Sequence, residues 1–130
     1  MTRNSPDPEA FLPLTTAVFH ILLALADGAS HGYAIMREVE TLTGGRTRLG
    51  PGTLYRSVQR MLVDGLIVEL APAGDDPEDD ERRRRYRVTP LGEAVTRLEA
   101  RRLADLVEAA RARGVLPGAA GDASTRARHR

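Results

Sequence analysis

The sequence has 130 residues, of which 42% are hydrophobic and 28% charged, and its formal net charge is +1. This length suits one domain with one core and an extension, and we do not expect two independent domains. Since the chain has no cysteine, disulfides, thiolate metal sites and cysteine nucleophiles are excluded. Its apolar stretches are shorter than the roughly 20 residues of a membrane span, and a basic signal-peptide start is missing. We therefore expect a cytoplasmic protein with no membrane partner.

Two helices are predicted in the first third of the chain. Apolar residues return at helical spacing from Leu14 to Leu25, which predicts a largely buried first helix over residues 13 to 26. Ser30 is the predicted N-cap of a second helix, which ends at Gly44-Gly45.

The third predicted helix has two different faces. It begins at Pro51, where a missing N–H costs nothing, and ends at Asp64-Gly65. One arc of its helical wheel is apolar, and the other carries Thr53, Arg56, Ser57 and Arg60. Four arginines and no acidic residue lie between Thr41 and Val63. A helix that packs through one arc and presents donors on the other suits insertion into a DNA major groove. The alternative is an ordinary solvated face of a surface helix.

Individual side chains of this third helix suggest separate contacts. Gly52 and Thr53 lie in its first turn, where backbone N–H groups can meet a phosphate. Arg56 and Arg60 are one turn apart and are predicted to reach base edges or phosphates. Tyr55 lies between the arcs, so its hydroxyl is either a phosphate contact or part of a core-edge aromatic.

Two strands with a long charged tip follow. Leu66 to Leu70 is a run of β-formers, and residues Arg84 to Val88 alternate, with Tyr86 and Val88 on one face and Arg85 and Arg87 on the other. The segment between them contains six acidic residues from Asp75 to Glu81. This run lacks the glycine-centred turn of a calcium loop, so we predict no metal site there. We interpret the run as a solvated tip beside the arginines that follow it in the sequence.

A long last helix is predicted to provide a dimer interface. Thr89-Pro90 supplies its cap and first turn, and it reaches about Arg113. About 24 residues give roughly 36 Å, against a radius of gyration near 11 Å for the preceding domain, so its far end must leave that domain. The side chains predicted to pack on a second copy are Leu98, Leu103, Leu106, Val107 and Ala110.

The element order of three helices, a hairpin and a helix is that of a winged helix-turn-helix. The predicted fold is mainly α, with a small β-hairpin wing and a C-terminal dimerisation helix. The domains follow from it: an N-terminal extension over 1–12, the winged helix-turn-helix DNA-binding domain over 13–89, the dimerisation helix over 90–113 and a disordered tail over 114–130.

Three stretches of the chain carry recognisable motifs: "HGYAIMREVE" at 31–40, "GPGTLYRSVQRMLVDGLI" at 50–67 and "RRRYRVTPLGEA" at 83–94. Together they resemble the PadR-like transcriptional regulators, and the resemblance covers roughly residues 12 to 110. It implies a homodimeric bacterial DNA-binding regulator, usually a repressor. By motif, it makes Tyr33, Thr53 and Tyr55 DNA contacts, and it makes the basic wing flank a groove contact through Arg83, Arg84 and Arg85. The sequence departs from the family at Gly50, where a capping serine is common, and in its long acidic wing tip.

We therefore predict a dimeric transcriptional repressor that binds double-stranded DNA at a near-palindromic operator and needs no cofactor. A small-molecule effector remains open as a further partner. A winged-helix protein-interaction module without DNA binding is the alternative. An enzyme comes third, because no HExxH, GxSxG or GK[ST] pattern accompanies His20, His31 and His129.

Overall fold

The computed structural model describes residues 6–71 and 84–118, which form four α-helices and three short strands. In chain order these are α1 (Thr16–Ala24), β1 (Ser30–His31), α2 (Gly32–Leu42), α3 (Pro51–Asp64), β2 (Ile67–Leu70), β3 (Arg85–Val88) and α4 (Pro90–Ala112), with a 3-10 helix, Pro8–Phe11, ahead of α1. This architecture confirms the predicted fold class. The chain divides into two compact units, of which one ends at Leu98 and the other begins at Glu99. The predicted acidic tip, Arg83, and the predicted tail from residue 119 onward lie outside the described residues.

Helix α1 is shorter than its sequence pattern predicts. It begins at Thr16 because Thr15 is the N-cap, whose side-chain oxygen accepts a hydrogen bond from the Val18 N–H at 3.2 Å. The residues ahead of this cap still contribute to the core, since Phe11 and Leu14 pack against it. The segment just before α1 is therefore part of the packed structure.

The predicted cap of the second helix is wrong. Ser30 is the first residue of β1, and α2 begins at Gly32 with no side-chain hydrogen bond to its N-terminus. Strand β1 is antiparallel to β3, with Ser30 opposite Tyr86, and β3 also pairs with β2. The wing sheet thus has three strands in the order β1-β3-β2, one more than a hairpin.

Helix α3 packs on α1 and α2 through the predicted apolar arc. Its Leu54, Val58 and Met61 side chains are at most 1% exposed and meet the rest of one core cluster. The helix ends at Gly65, which has a φ of 79°, a left-handed conformation that suits glycine. The positive φ therefore explains why α3 stops where the sequence predicts.

The start of α4 is fixed to the end of α3 by one threonine. The Thr89 side-chain oxygen accepts a hydrogen bond from the Gly92 N–H at 3.0 Å, as predicted for an N-cap, and its hydroxyl donates to the Gly65 carbonyl at 2.6 Å. Gly92 itself lies against the Leu66 carbonyl, where a Cβ would overlap backbone. The turn from the wing into α4 is accordingly close-packed.

Candidate nucleic-acid interface

The outer face of α3 is polar and accessible. Gly52, Thr53 and Arg56 are exposed, Ser57 is half-buried, and the opposite arc lies in the core. The structure therefore brings the predicted contact residues of this helix to one surface. Because the inner arc fixes the helix, the backbone positions that carry these outer side chains are fixed relative to one another.

The N-terminus of α3 has no side-chain cap. Gly50 occupies the N-cap position in an extended conformation, and no side chain bonds to the first turn. The N–H groups of Gly52 and Thr53 therefore lack an intrahelical partner, as at the start of any helix. Together with the positive end of the helix dipole, they form a surface suited to an anion such as phosphate.

The two arginines of this face differ in their surroundings. Arg60 Nε lies 3.3 Å from Asp64 Oδ2, although 75% of the Arg60 side chain remains exposed. The segment from Thr41 to Val63 contains no acid that could pair with these arginines, but Asp64, the next residue along the chain, pairs with Arg60. Arg56 is exposed and has no ion pair within the described ranges. An exposed ion pair contributes about 0–1 kcal/mol to stability, so Arg60 can exchange Asp64 for another anion at a small cost in free energy.

Tyr55 joins α3 to the first turn of α2. Its phenol lies over Gly32, so close that a Cβ there would be 2.9 Å from Tyr55 Cζ and nearer still to the hydroxyl. The ring is nevertheless 46% exposed, which agrees with its predicted place between the two arcs. Next along α2, Tyr33 is 64% exposed and therefore lies at the surface beside this junction.

The turn between α2 and α3 adds basic side chains. Arg46 is exposed, and Arg48 Nε lies 3.2 Å from Glu40 Oε2 in an ion pair whose arginine is 80% exposed. Thr43 holds this turn, since its side-chain oxygen accepts a hydrogen bond from the Thr47 N–H at 3.0 Å. The basic surface of α3 thus continues into an ordered loop.

The wing strand β3 separates its charged and buried side chains as predicted. Arg85 and Arg87 are exposed, whereas Tyr86 between them is 3% exposed. Arg84 Nε lies 3.5 Å from Glu69 Oε2, so this part of the predicted contact flank is partly neutralised by the neighbouring strand. Burial, with a smaller contribution from Glu69, raises the pKa of the Tyr86 phenol.

The apolar stripe predicted for the last helix is present on α4. Leu106 and Val107 are 54% and 39% exposed, and Leu98, Leu103 and Ala110 are half-buried. Glu99, one turn before Leu103, is 2% exposed and accepts two hydrogen bonds from Arg102 at 2.7 and 3.0 Å. Nothing in the described part of a single chain covers Leu106 fully.

A cavity of about 620 Å³ lies within the first compact unit, between the end of α1, β3 and the first turns of α4. Leu22, Leu25 and Val88 provide apolar wall, whereas the charged wall residues are Asp27, Arg87, Glu93 and Arg97. None of these four charged side chains is in an ion pair with another described residue. The cavity therefore offers both an apolar surface and accessible charges of either sign.

Among residues 6–71 and 84–118, no three His, Asp or Glu side chains come together as a metal site would require. The same ranges contain no helix with the length and apolar character needed to cross a bilayer.

Comparisons with known proteins agree with this geometry. Residues 21–98 match the transcriptional regulator PadR-like family. The chain is 37% identical over 99 residues to "Transcriptional regulator Rv3488" of Mycobacterium tuberculosis, covering 76% of this chain and 81% of that protein. It is 38% identical over 86 residues to an uncharacterized 37.1 kDa protein in transposon TN4556 of Streptomyces fradiae, covering 66% of this chain but only 22% of that longer protein.

Solved structures show the same fold. A transcriptional regulator from Clostridium thermocellum aligns with a TM-score of 0.61 and 25% identity, over 72% of this chain and 84% of that one. A PadR family transcription regulator from Clostridium difficile R20291 also gives 0.61, at 18% identity, over 74% and 95% of the two chains. The matched family and the relative from Mycobacterium tuberculosis are transcriptional regulators, which confirms the prediction that the chain is not an enzyme. The winged-helix fold, the motifs along it and the family match lead to one conclusion: the chain belongs to the PadR-like family of transcriptional regulators.

Proposed function

We propose that this transcriptional regulator binds double-stranded DNA by inserting α3 into the major groove. The observation that carries the proposal is that α3 has two different faces. Its apolar arc is buried, whereas Gly52, Thr53 and Arg56 share the accessible face. The uncapped first turn supplies N–H groups for a phosphate, and the arginines supply forked donors for base edges or phosphates. On this proposal the wing arginines Arg84 and Arg85 contact the DNA backbone beside α3.

We further propose that the regulator acts as a homodimer on a near-palindromic operator. The exposed stripe of α4, with Leu106 and Val107 at its centre, is the surface that a second copy would cover. A two-fold dimer presents two copies of α3, so the half-sites lie about one helical turn, or a multiple of it, apart. Binding at such a site near a promoter blocks transcription, which makes repression the expected regulatory effect.

A small-molecule effector would bind in the cavity beside β3. Its walls combine leucine and valine side chains with Arg87 and Arg97, which suits a small amphipathic molecule. No aromatic residue is among the described side chains that line it, so binding would rely on apolar contact and charge rather than stacking. Because the cavity includes residues of the wing strand, its occupant would contact an element of the proposed DNA interface.

The decisive experiment measures DNA binding by fluorescence anisotropy, with the DNA upstream of the protein's own gene and a mixed-sequence duplex as probes. Replacing Arg56 and Arg60 by alanine should abolish preference for the upstream DNA while light scattering still shows a dimer. Arg101→Ala, which removes an exposed arginine of α4, is the matched control and should bind as the wild type does. Unchanged binding by the double variant would favour the protein-interaction module instead.

A further inference from the structure

An exposed arginine of α2 is held over an exposed aromatic ring. Arg37 and Tyr33 are one helical turn apart, and the guanidinium carbon of Arg37 lies 5.8 Å from the centroid of the Tyr33 ring. Tyr33 is 64% exposed, which is unusual for so large an aromatic side chain. Stacking of this kind orients a guanidinium without neutralising its charge.

Arg37 has no carboxylate partner within the described part of the chain. The nearby acid Glu40, three residues later, lies 3.2 Å from Arg48 instead. Other exposed arginines of the same region, such as Arg48 and Arg60, are each within ion-pair distance of an acid. The positive charge of Arg37 is therefore available to an external anion, and Tyr33 limits the directions in which it points.

The position of this pair relates it to the proposed DNA interface. Tyr33 follows Gly32, the residue that Tyr55 of α3 covers with its phenol. The first turn of α2 thus contacts the N-terminal half of α3, and the uncapped N–H groups at the start of α3 are available to a phosphate. In helix-turn-helix proteins, the helix before the recognition helix crosses the sugar-phosphate backbone rather than entering the groove.

We propose that Arg37 is a further DNA-contacting residue, which binds a backbone phosphate beside the groove that α3 occupies. Tyr33 is its positioning residue and acts through the face of its ring, not through its hydroxyl. This assignment rests on the proposed function, and it extends the contact surface from α3 to α2. Since phosphates carry no base identity, the contact contributes affinity and register but no sequence preference.

The test uses salt-dependent affinity, because each phosphate contact contributes about 0.9 to the slope of log affinity against log salt. Binding to a mixed-sequence duplex and to the upstream DNA is measured between about 50 and 200 mM salt. Arg37→Gln should weaken both complexes about tenfold, lower the slope by about 0.9 and leave the ratio of the two affinities unchanged. Arg101→Gln, on α4, is the matched control and should change neither quantity.

Substitutions of Tyr33 separate its ring from its hydroxyl. Tyr33→Phe keeps the ring and should bind as the wild type does, whereas Tyr33→Leu should weaken binding about two- to fivefold. Adding Tyr33→Leu to Arg37→Gln should cause no further loss, because the ring acts through the arginine. Circular dichroism of each variant checks that α2 remains folded.

The outcomes separate this assignment from the proposed function. If Arg56→Ala abolishes sequence preference but Arg37→Gln leaves the salt slope unchanged, the phosphate contact is overturned and the proposed function stands. Weaker binding by Tyr33→Phe would show that the hydroxyl makes the contact and would overturn the positioning role. A wild-type protein that binds neither duplex overturns the proposed function, and the assignment with it.

Discussion

The phenol of Tyr55 on α3 covers the α-carbon of Gly32, the first residue of α2. A Cβ at position 32 would come within 2.9 Å of Tyr55 Cζ and 3.2 Å of Leu54 Cδ2. The absence of a side chain at residue 32 therefore sets how closely the two helices approach. Both helices carry residues of the proposed DNA interface, so this contact sets their spacing.

Gly32→Ala should lower the free energy of unfolding by about 1–3 kcal/mol, because the added methyl group overpacks the junction. Gly52→Ala is the matched control, since a Cβ there would meet nothing closer than Arg56 Nη2 at 3.7 Å. This control should gain up to about 1 kcal/mol from the better helix propensity of alanine. Urea denaturation of both variants provides the measurement, and equal effects would contradict the steric explanation.

Asp64→Asn should tighten DNA binding by about two- to fivefold. The Asp64 carboxylate lies 3.3 Å from Arg60 Nε, so it competes with phosphate for that guanidinium. Fluorescence anisotropy at low salt checks the change, and the effect should diminish as salt screens the charges. Asp105→Asn removes an exposed acid of α4 and should leave the affinity unchanged. No gain from Asp64→Asn would mean that Arg60 takes no part in the contact.

Tyr86 should make stability depend on pH in the alkaline range. Burial raises the pKa of its phenol above 10.0, so the unfolded state loses this proton at lower pH than the folded state does. The contribution is fully present below pH 10 and is lost as pH rises through the folded-state pKa. Tyr86→Phe should therefore show a smaller fall in unfolding free energy between about pH 9 and pH 11. Tyr33→Phe removes an exposed phenol, so the unfolding free energy of this variant should fall with pH as that of the wild type does.

Leu106→Asp should dissociate the proposed dimer. The side chain is 54% exposed in one chain, and burying a leucine against a second copy would stabilise the dimer by about 1.5–3 kcal/mol. A charge at its place should raise the dimer dissociation constant more than about tenfold. Light scattering at micromolar concentration measures the change, with Arg101→Asp on the opposite side of α4 as the control. A dimer that survives Leu106→Asp would place the interface elsewhere.

Helical periodicity is sufficient to predict α3, the central helix of the proposed interface. The same spacing that places Leu54 and Val58 in the core places Arg56 at the surface, and both depend only on residues within one helix. Local chemistry likewise predicted that the third helix ends at Asp64-Gly65 and that Thr89 caps the last one, and each prediction depends on neighbours in sequence.

Contacts between residues that are far apart along the chain could not be predicted from the sequence pattern. Strand β1 has only two residues and depends on the pairing of Ser30 with Tyr86, which is far along the chain. The local sequence around Ser30 indicates a helix cap instead. The phenol of Tyr55 over Gly32 also needs the packed fold. Two local features were readable but missed: the spacing of four residues that pairs Arg60 with Asp64, and the same spacing between Tyr33 and Arg37.

The continuity of β1 with α2 has a mechanical consequence. His31 ends the strand and immediately precedes the first residue of α2, while its neighbour in the sheet is Arg85 of β3. No loop intervenes that would let the base of the wing swing independently of the helix. A displacement of β3 would therefore move β1 through the strand pairing and Gly32 through the continuous backbone. Gly32 is the residue that the Tyr55 phenol contacts.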